Sequence, residues 1–178
     1  HARAPLQGVL LMSPANPTGT MMSRRDLQAI CETCDGLGIS FISDEIYHGL
    51  TYEAPAQTAL AFSSSAIVVN SFSKYFCMTG WRIGFVVGNS LLVRAYGDVK
   101  DNSDSGQFLG IQKAGVAGLD DVSIPRAIAT KYSRRMDKLV GVLAKLGFQV
   151  RKPGAGFFLY MPAPKSATGP SGTVSFDS

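Results

Sequence analysis

Four short apolar runs, each giving way to turn or polar residues, constrain this chain more than any other feature: Val9 to Met12, Ile39 to Ser43, Ala66 to Asn70 and Ile83 to Val87. Each is too short for a stable helix and is bounded by glycine, proline, serine or charged residues, the pattern of strands buried in a sheet. Between the first two, Ser23 is placed to cap a helix, with Asp26 in capping-box position and Gly36 and Gly38 to end it. Strand, helix and strand in alternation predict an α/β layered domain with a mostly parallel sheet.

Hydrophobic residues make up 46% of the 178 and charged residues only 17%, which places the chain in the globular class. Gly49 to Ser65 reads as connecting material. Beyond Gly88 the pattern turns helical. Leu91 to Val99 suits a helix, and Asp101 to Gly106 is a polar break. Phe108, Ile111, Gly115 and Leu119 mark a helical face whose small residues admit the close approach of another backbone. After Ser123 and Pro125, the residues Tyr132, Met136, Leu139, Leu143 and Leu146 space by three and four along an amphipathic helix that Gly147 stops. Phe148 to Val150 and Phe157 to Met161 are expected to pair as a small antiparallel unit around Pro153-Gly154-Ala155-Gly156. Ala163 to Ser178, rich in Pro, Ser and Gly, reads as loop.

The net charge of +4 comes from scattered residues, and no basic stripe interleaved with aromatics supports nucleic-acid binding. No apolar run approaches the roughly 18 residues of a membrane span, and the opening His1-Ala2-Arg3-Ala4-Pro5 reads as an entry in mid-domain without a signal peptide. Three cysteines give no disulfide framework. Cys31-x-x-Cys34 suggests a redox or metal site, but Leu27, Ile30, Cys31 and Cys34 share one helical face, so both thiols are expected in a core. No metal site is expected. This cysteine usage favours a reducing compartment.

The third run delivers Asn70-Ser71-Phe72-Ser73-Lys74, followed by Thr79-Gly80-Trp81-Arg82. A lysine where a core strand ends is either a loop residue with its head in water or an amine that, once deprotonated, forms a Schiff base with a carbonyl compound. Ser71, Ser73 and Arg82 could hold a phosphate, the hydroxyls as donors and the guanidinium as a fork. Asn16-Pro17-Thr18-Gly19 follows the first run and Asp44-Glu45-Ile46-Tyr47 the second, where open parallel sheets place their ligands. Asp44 could instead cap a helix, Asn16 could serve turn chemistry alone, and Tyr47 could be packing.

Taken in order, Asn-Pro-x-Gly, Asp-x-x-Tyr, Ser-x-x-Lys and Arg resemble the fold type I pyridoxal-phosphate enzymes and, within them, the class I aminotransferases. The resemblance implies a three-layer large domain over residues 1–122, an interdomain helix over 123–147 and the start of a small α+β domain over 148–178. It also implies that the fourth strand runs antiparallel to its neighbours. Lys74 would be the Schiff-base lysine that also shuttles the substrate proton. Asp44 would pair with the pyridine nitrogen, Tyr47 and Asn16 would reach the phenolic oxygen, and Ser71, Ser73 and Arg82 would anchor the phosphate of pyridoxal 5'-phosphate. The implied partners are an amino acid and a 2-oxo acid, with neither nucleic acid nor membrane, in a cytoplasmic homodimer. Lys100 to Phe108 with Ile111 to Ala114 is similar to LL-diaminopimelate aminotransferases, while Ile42 to Tyr52 is similar to class I members of broader range. Carbon-sulfur lyases of the same framework, or a non-catalytic cofactor-binding fragment, are the alternatives. Trp81 and Cys77 are expected to pack, His48 to be solvated, and Glu45 has no assigned role. An N-terminal part with further phosphate donors and a ring-stacking aromatic, and the arginine for the substrate carboxylate, are expected outside these residues.

Overall fold

A computed structural model describes residues 5–176, so the opening residues read as a mid-domain entry fall largely outside the described part. Four strands, β1 (Gly8–Met12), β2 (Ser40–Asp44), β3 (Ile67–Ser71) and β4 (Gly84–Gly88), form one sheet in the order β1-β2-β3-β4. The first three are parallel and β4 is antiparallel to β3. The helices are α1 (Arg24–Leu37), α2 (Ser90–Asp101), α3 (Leu109–Asp120) and α4 (Ser123–Lys145). Among the described residues no helix is long and apolar enough to cross a membrane.

The register assigns the faces. Val9 pairs with Phe41, Leu11 with Ser43, and Ser43 with Val68, so these side chains share one face of the pleat. Leu27, Cys31 and Cys34 of α1 close over that face with Phe41 and Val68. Each large apolar side chain sealed there contributes roughly 1.5–3 kcal/mol. Val69 and Val86, paired with each other and therefore on the opposite face, border a cavity with Tyr96 and Lys100 of α2. The layers are thus helix, sheet and helix.

The ends of α1 follow local chemistry. Ser23 Oγ accepts from the Asp26 N–H at 3.1 Å and donates to the Asp26 carboxylate at 2.7 Å. Gly38 closes the helix with φ 64°, a left-handed value that favours glycine, while Gly36 stays inside the last turn. Both α1 cysteines are buried, and burial pushes the Cys31 thiol up to about 11. A second core, of Tyr47, Leu50, Phe72, Tyr75 and Phe76, lies beyond the carboxyl ends of β2 and β3 and is backed by Ile128, Ala129 and Tyr132 of α4.

Several expectations need correction. On α3 the packed face is Gly115 and Gly118, whereas Phe108 and Leu119 are exposed. The close neighbour is a ring rather than a backbone: a Cβ at Gly115 would meet Phe72 at 3.2 Å. On α4 Met136 is buried and Leu143 half-buried, but Leu139 is exposed, as is Leu146 just past the helix end. Phe148 to Val150 and Phe157 to Met161 do not pair. The backbone of residues 154–156 bonds to 50–52 instead, through Tyr52 N–H to the Gly154 carbonyl at 3.1 Å and Gly156 N–H to the Leu50 carbonyl at 2.9 Å. The tail read as loop contains the antiparallel pair β5 (Ser166–Gly169) and β6 (Gly172–Ser175), with a turn between that Gly172 enables at φ 112°.

Candidate functional site

Asp44 is the last residue of β2, and hydrogen bonds on both sides hold its backbone at the sheet edge. Its carbonyl accepts from the Ser13 N–H at 3.1 Å, and the next N–H, of Glu45, reaches the Val69 carbonyl at 2.9 Å. The Asp44 carboxylate then accepts from the Ile46 N–H at 3.1 Å, an Asx-turn that ends the strand. One turn later Tyr47 points inward and is only 3% exposed. Burial pushes the pKa of its phenol above the ordinary value, and the negative charge of Asp44 pushes it further up, so Tyr47 is a hydrogen-bond donor over the physiological range.

β3 ends in a serine turn. Ser71 Oγ accepts from the Ser73 N–H at 3.1 Å and lies 3.0 Å from Ser73 Oγ and 3.1 Å from the Ile83 carbonyl oxygen. Thr79 Oγ1 donates to the Ser73 carbonyl at 2.8 Å, and Arg82 Nη1 donates to the Thr79 carbonyl at 2.9 Å. Ser71, Ser73 and Arg82, spread over twelve positions of sequence, therefore belong to one hydrogen-bonded loop. Arg82 is exposed and has φ 51°, a left-handed value that a non-glycine residue adopts only when its surroundings hold it.

Lys74 leaves the same turn half-buried. Its Nζ lies 5.9 Å from the centroid of the Tyr47 ring and 5.5 Å from that of Phe157. Among the described residues it forms no ion pair. The structure thus brings Lys74 to Tyr47, Tyr47 into the field of Asp44, and Ser71, Ser73 and Arg82 into one loop. Asn16 stands apart. It is exposed in the turn closed by Ala15 N–H to the Thr20 carbonyl at 2.9 Å, and no hydrogen bond of its side chain joins it to the others among the described residues.

Three neighbours differ from expectation. Trp81 is 47% exposed and does not pack as a core residue. His48 is not freely solvated, because its Nδ1 lies 3.4 Å from the Glu45 carboxylate. Glu45, without a role in the sequence reading, is 2% exposed and accepts from Ser43 Oγ at 3.0 Å and the Ala59 N–H at 2.9 Å. Strand parity carries the signal: Glu45 follows Asp44 and stands two positions after the core-facing Ser43, so its side chain leaves on the core face and that of Asp44 on the other. Phe157 was read only as part of a strand. No local pattern links it to Lys74, since the contact depends on how residues 151–157 return from α4.

The arrangement offers an amine, a carboxylate, a buried phenol and, in one hydrogen-bonded loop, two hydroxyls and a guanidinium, groups whose chemistry suits an anion, beyond the carboxyl ends of parallel strands. The family model described as aminotransferase class I and II matches residues 1–170. An LL-diaminopimelate aminotransferase of Methanocaldococcus jannaschii is 38% identical over 159 residues, covering 88% of this chain and 38% of the relative. A valine–pyruvate aminotransferase of Mycobacterium tuberculosis is 52% identical over 93 residues, covering 51% of this chain and 24% of the relative. Among solved structures, an aminotransferase from Mycobacterium tuberculosis superposes with a TM-score of 0.73 at 35% identity, covering 85% of this chain and 40% of that one. Aspartate aminotransferase from Thermus thermophilus with maleate does so with a TM-score of 0.77 at 29% identity, over 84% and 40% respectively. The chain spans about two fifths of the length of the first of these relatives. With the family model matched over nearly its full length and the fold shared with solved members, this chain belongs to the class I and II aminotransferases.

Proposed function

We propose that the full-length protein containing this chain transfers an amino group between an amino acid and a 2-oxo acid with pyridoxal 5'-phosphate as cofactor. The observation that carries this reading is the Lys74 amine held against the buried Tyr47 phenol, which itself lies in the field of Asp44. The donor set fits the cofactor group by group: an amine for an aldehyde, a carboxylate for a ring nitrogen, a phenol for a phenolic oxygen, and two hydroxyls with a guanidinium for a phosphate dianion.

When bound, the cofactor supplies an electron sink for the carbon that loses its proton. The chain's own residues do the rest. The Asp44 carboxylate holds a proton at the ring nitrogen, which keeps the sink effective. Tyr47, kept protonated by burial and by Asp44, would donate to the phenolic oxygen, and the Asn16 amide, which stands apart in this structure, would have to move in to join it. Ser71 and Ser73 donate to phosphate oxygens, and Arg82 adds a permanent positive charge. Lys74 Nζ would hold the cofactor's aldehyde carbon at rest and would move the proton at the substrate Cα as general base and then acid.

LL-diaminopimelate is the favoured amino donor, supported by relatives of that name at 38% and 39% identity. In this reading residues 1–122 are part of the large domain, 123–147 the interdomain helix and 148–178 the start of the small domain. The whole protein is a cytoplasmic homodimer without nucleic-acid or membrane partners. The test is the full-length protein with bound cofactor. Borohydride is expected to bleach its visible band and leave a pyridoxyl mass on the peptide containing Lys74. Turnover of LL-diaminopimelate with a 2-oxo acid is expected to exceed that of aspartate. Label on another lysine would overturn the site assignment, and ammonia release without an acceptor would favour the lyase chemistry.

A further inference from the structure

Phe157 stands beside the lysine from a segment remote in sequence. Its ring centroid is 5.5 Å from Lys74 Nζ and 5.6 Å from the Tyr47 ring, with 69° between the ring planes. The amine head therefore faces two aromatic rings set edge to face. Tyr132 of α4 stacks on Phe157 at 5.5 Å with 29° between planes, and Phe158 touches it at 4.7 Å. The residues just before it are pinned through Gly156 N–H to the Leu50 carbonyl, three positions after Tyr47. Phe157 is thus fixed from several sides, while the lysine it meets has four flexible carbons and no ion-pair partner among the described residues.

We propose that Phe157 is a positioning residue for Lys74: with Tyr47 it forms a two-ring clamp that orders the amine. Ring faces attract a cation, so the clamp acts most strongly on the ammonium that exists after Lys74 Nζ has taken a proton from the substrate carbon. Ordering a four-carbon chain in advance removes part of the entropy that proton transfer would otherwise cost. For abstraction of the substrate proton both effects have the same sign, so losing the Phe157 ring slows that step. The proposal rests on Lys74 being the cofactor lysine.

The test compares Phe157→Leu, which keeps bulk without a π face, with Phe157→Tyr, which keeps both, in the full-length protein. In the holoenzyme Phe157→Leu is expected to lower kcat about threefold to tenfold, given the energy of one cation–π contact, with KM unchanged. The isotope effect with Cα-deuterated substrate is expected to rise, and Phe157→Tyr to restore kcat. In the cofactor-free protein with 13C-methylated lysines, the Lys74 methyl signal, identified by its loss in Lys74→Arg, is expected upfield under the ring currents. It should move back in Phe157→Leu and stay in Phe157→Tyr. A raised KM at constant kcat, or a Lys74 signal indifferent to Phe157→Leu in protein of unchanged Tm, overturns the clamp. A clamp signal as described, with borohydride label on a different lysine, leaves the clamp standing and refutes the cofactor assignment instead.

Discussion

Replacing Glu45 by alanine isolates the feature that fixes the turn between Asp44 and Tyr47. The carboxylate is 2% exposed and serves two donors, Ser43 Oγ at 3.0 Å and the Ala59 N–H at 2.9 Å, besides standing 3.4 Å from His48 Nδ1. Ala59 is itself fully buried, so its N–H loses its side-chain partner without gaining water. An orphaned buried donor costs about 1–3 kcal/mol. The Ser43 hydroxyl can rotate, which limits its share to about 1 kcal/mol. His48 is partly exposed and is resolvated, and relief of a buried charge offsets part of the loss. The two costs sum to about 2–4 kcal/mol before that offset, so the expected cost of Glu45→Ala is about 1.5–3 kcal/mol. Glu45→Gln keeps an oxygen for the Ala59 N–H and should cost about 1 kcal/mol. Urea denaturation of the full-length variants, followed by far-ultraviolet circular dichroism, measures both. A loss below about 1 kcal/mol in the alanine variant, or an equal loss in the glutamine variant, would refute the view that hydrogen-bond acceptance rather than charge is what Glu45 contributes.

Lys74→Ala removes a half-buried amine that balances no carboxylate among the described residues, so turnover is expected to vanish while Tm stays within a few degrees; residual transamination would sink the assignment. Asp44→Asn should depress kcat far more than cofactor affinity, read by stopped-flow absorbance beside a cofactor titration; an equal effect on both contradicts the role given to its charge. Gly49→Ala would bring a Cβ to 2.5 Å from the Tyr75 ring, and such overpacking should cost about 1–3 kcal/mol by chemical denaturation, with an unchanged midpoint as the contrary result. Burial, aided by the charge of Glu45, pushes the Tyr75 phenol up from 10.0 to about 12, so the folded state holds this proton more tightly than the unfolded chain does. That contribution to stability is complete below pH 10 and is lost as pH rises from there to about 12. Tyr75→Phe should flatten the decline, and an identical profile in the variant would refute the coupling.

What the sequence by itself determined is what depends on neighbours along the chain. The strands at Val9, Ile39, Ala66 and Ile83 were legible within one residue of their observed starts, because short apolar runs ending in polar clusters have few other uses. The Ser23 cap and the αL stop at Gly38 are local hydrogen-bond and steric matters and were legible for the same reason. Asp44 and Lys74 could be placed at the carboxyl ends of strands, and the direction of β4 came only from the family resemblance. Tertiary structure alone decided which remote groups meet. Whether Phe157 pairs with Phe148 or turns toward Lys74 depends on where the 154–156 backbone finds partners, and it finds them at 50–52. Glu45 gained its partners because the Ala59 turn packs against β3 and α1 beside the end of β2, and the exposed ends of the Leu119 and Leu146 faces reflect where other elements stop covering them. Period and propensity report which face of an element can be buried; what buries it, and where that cover ends, is a property of the assembled fold.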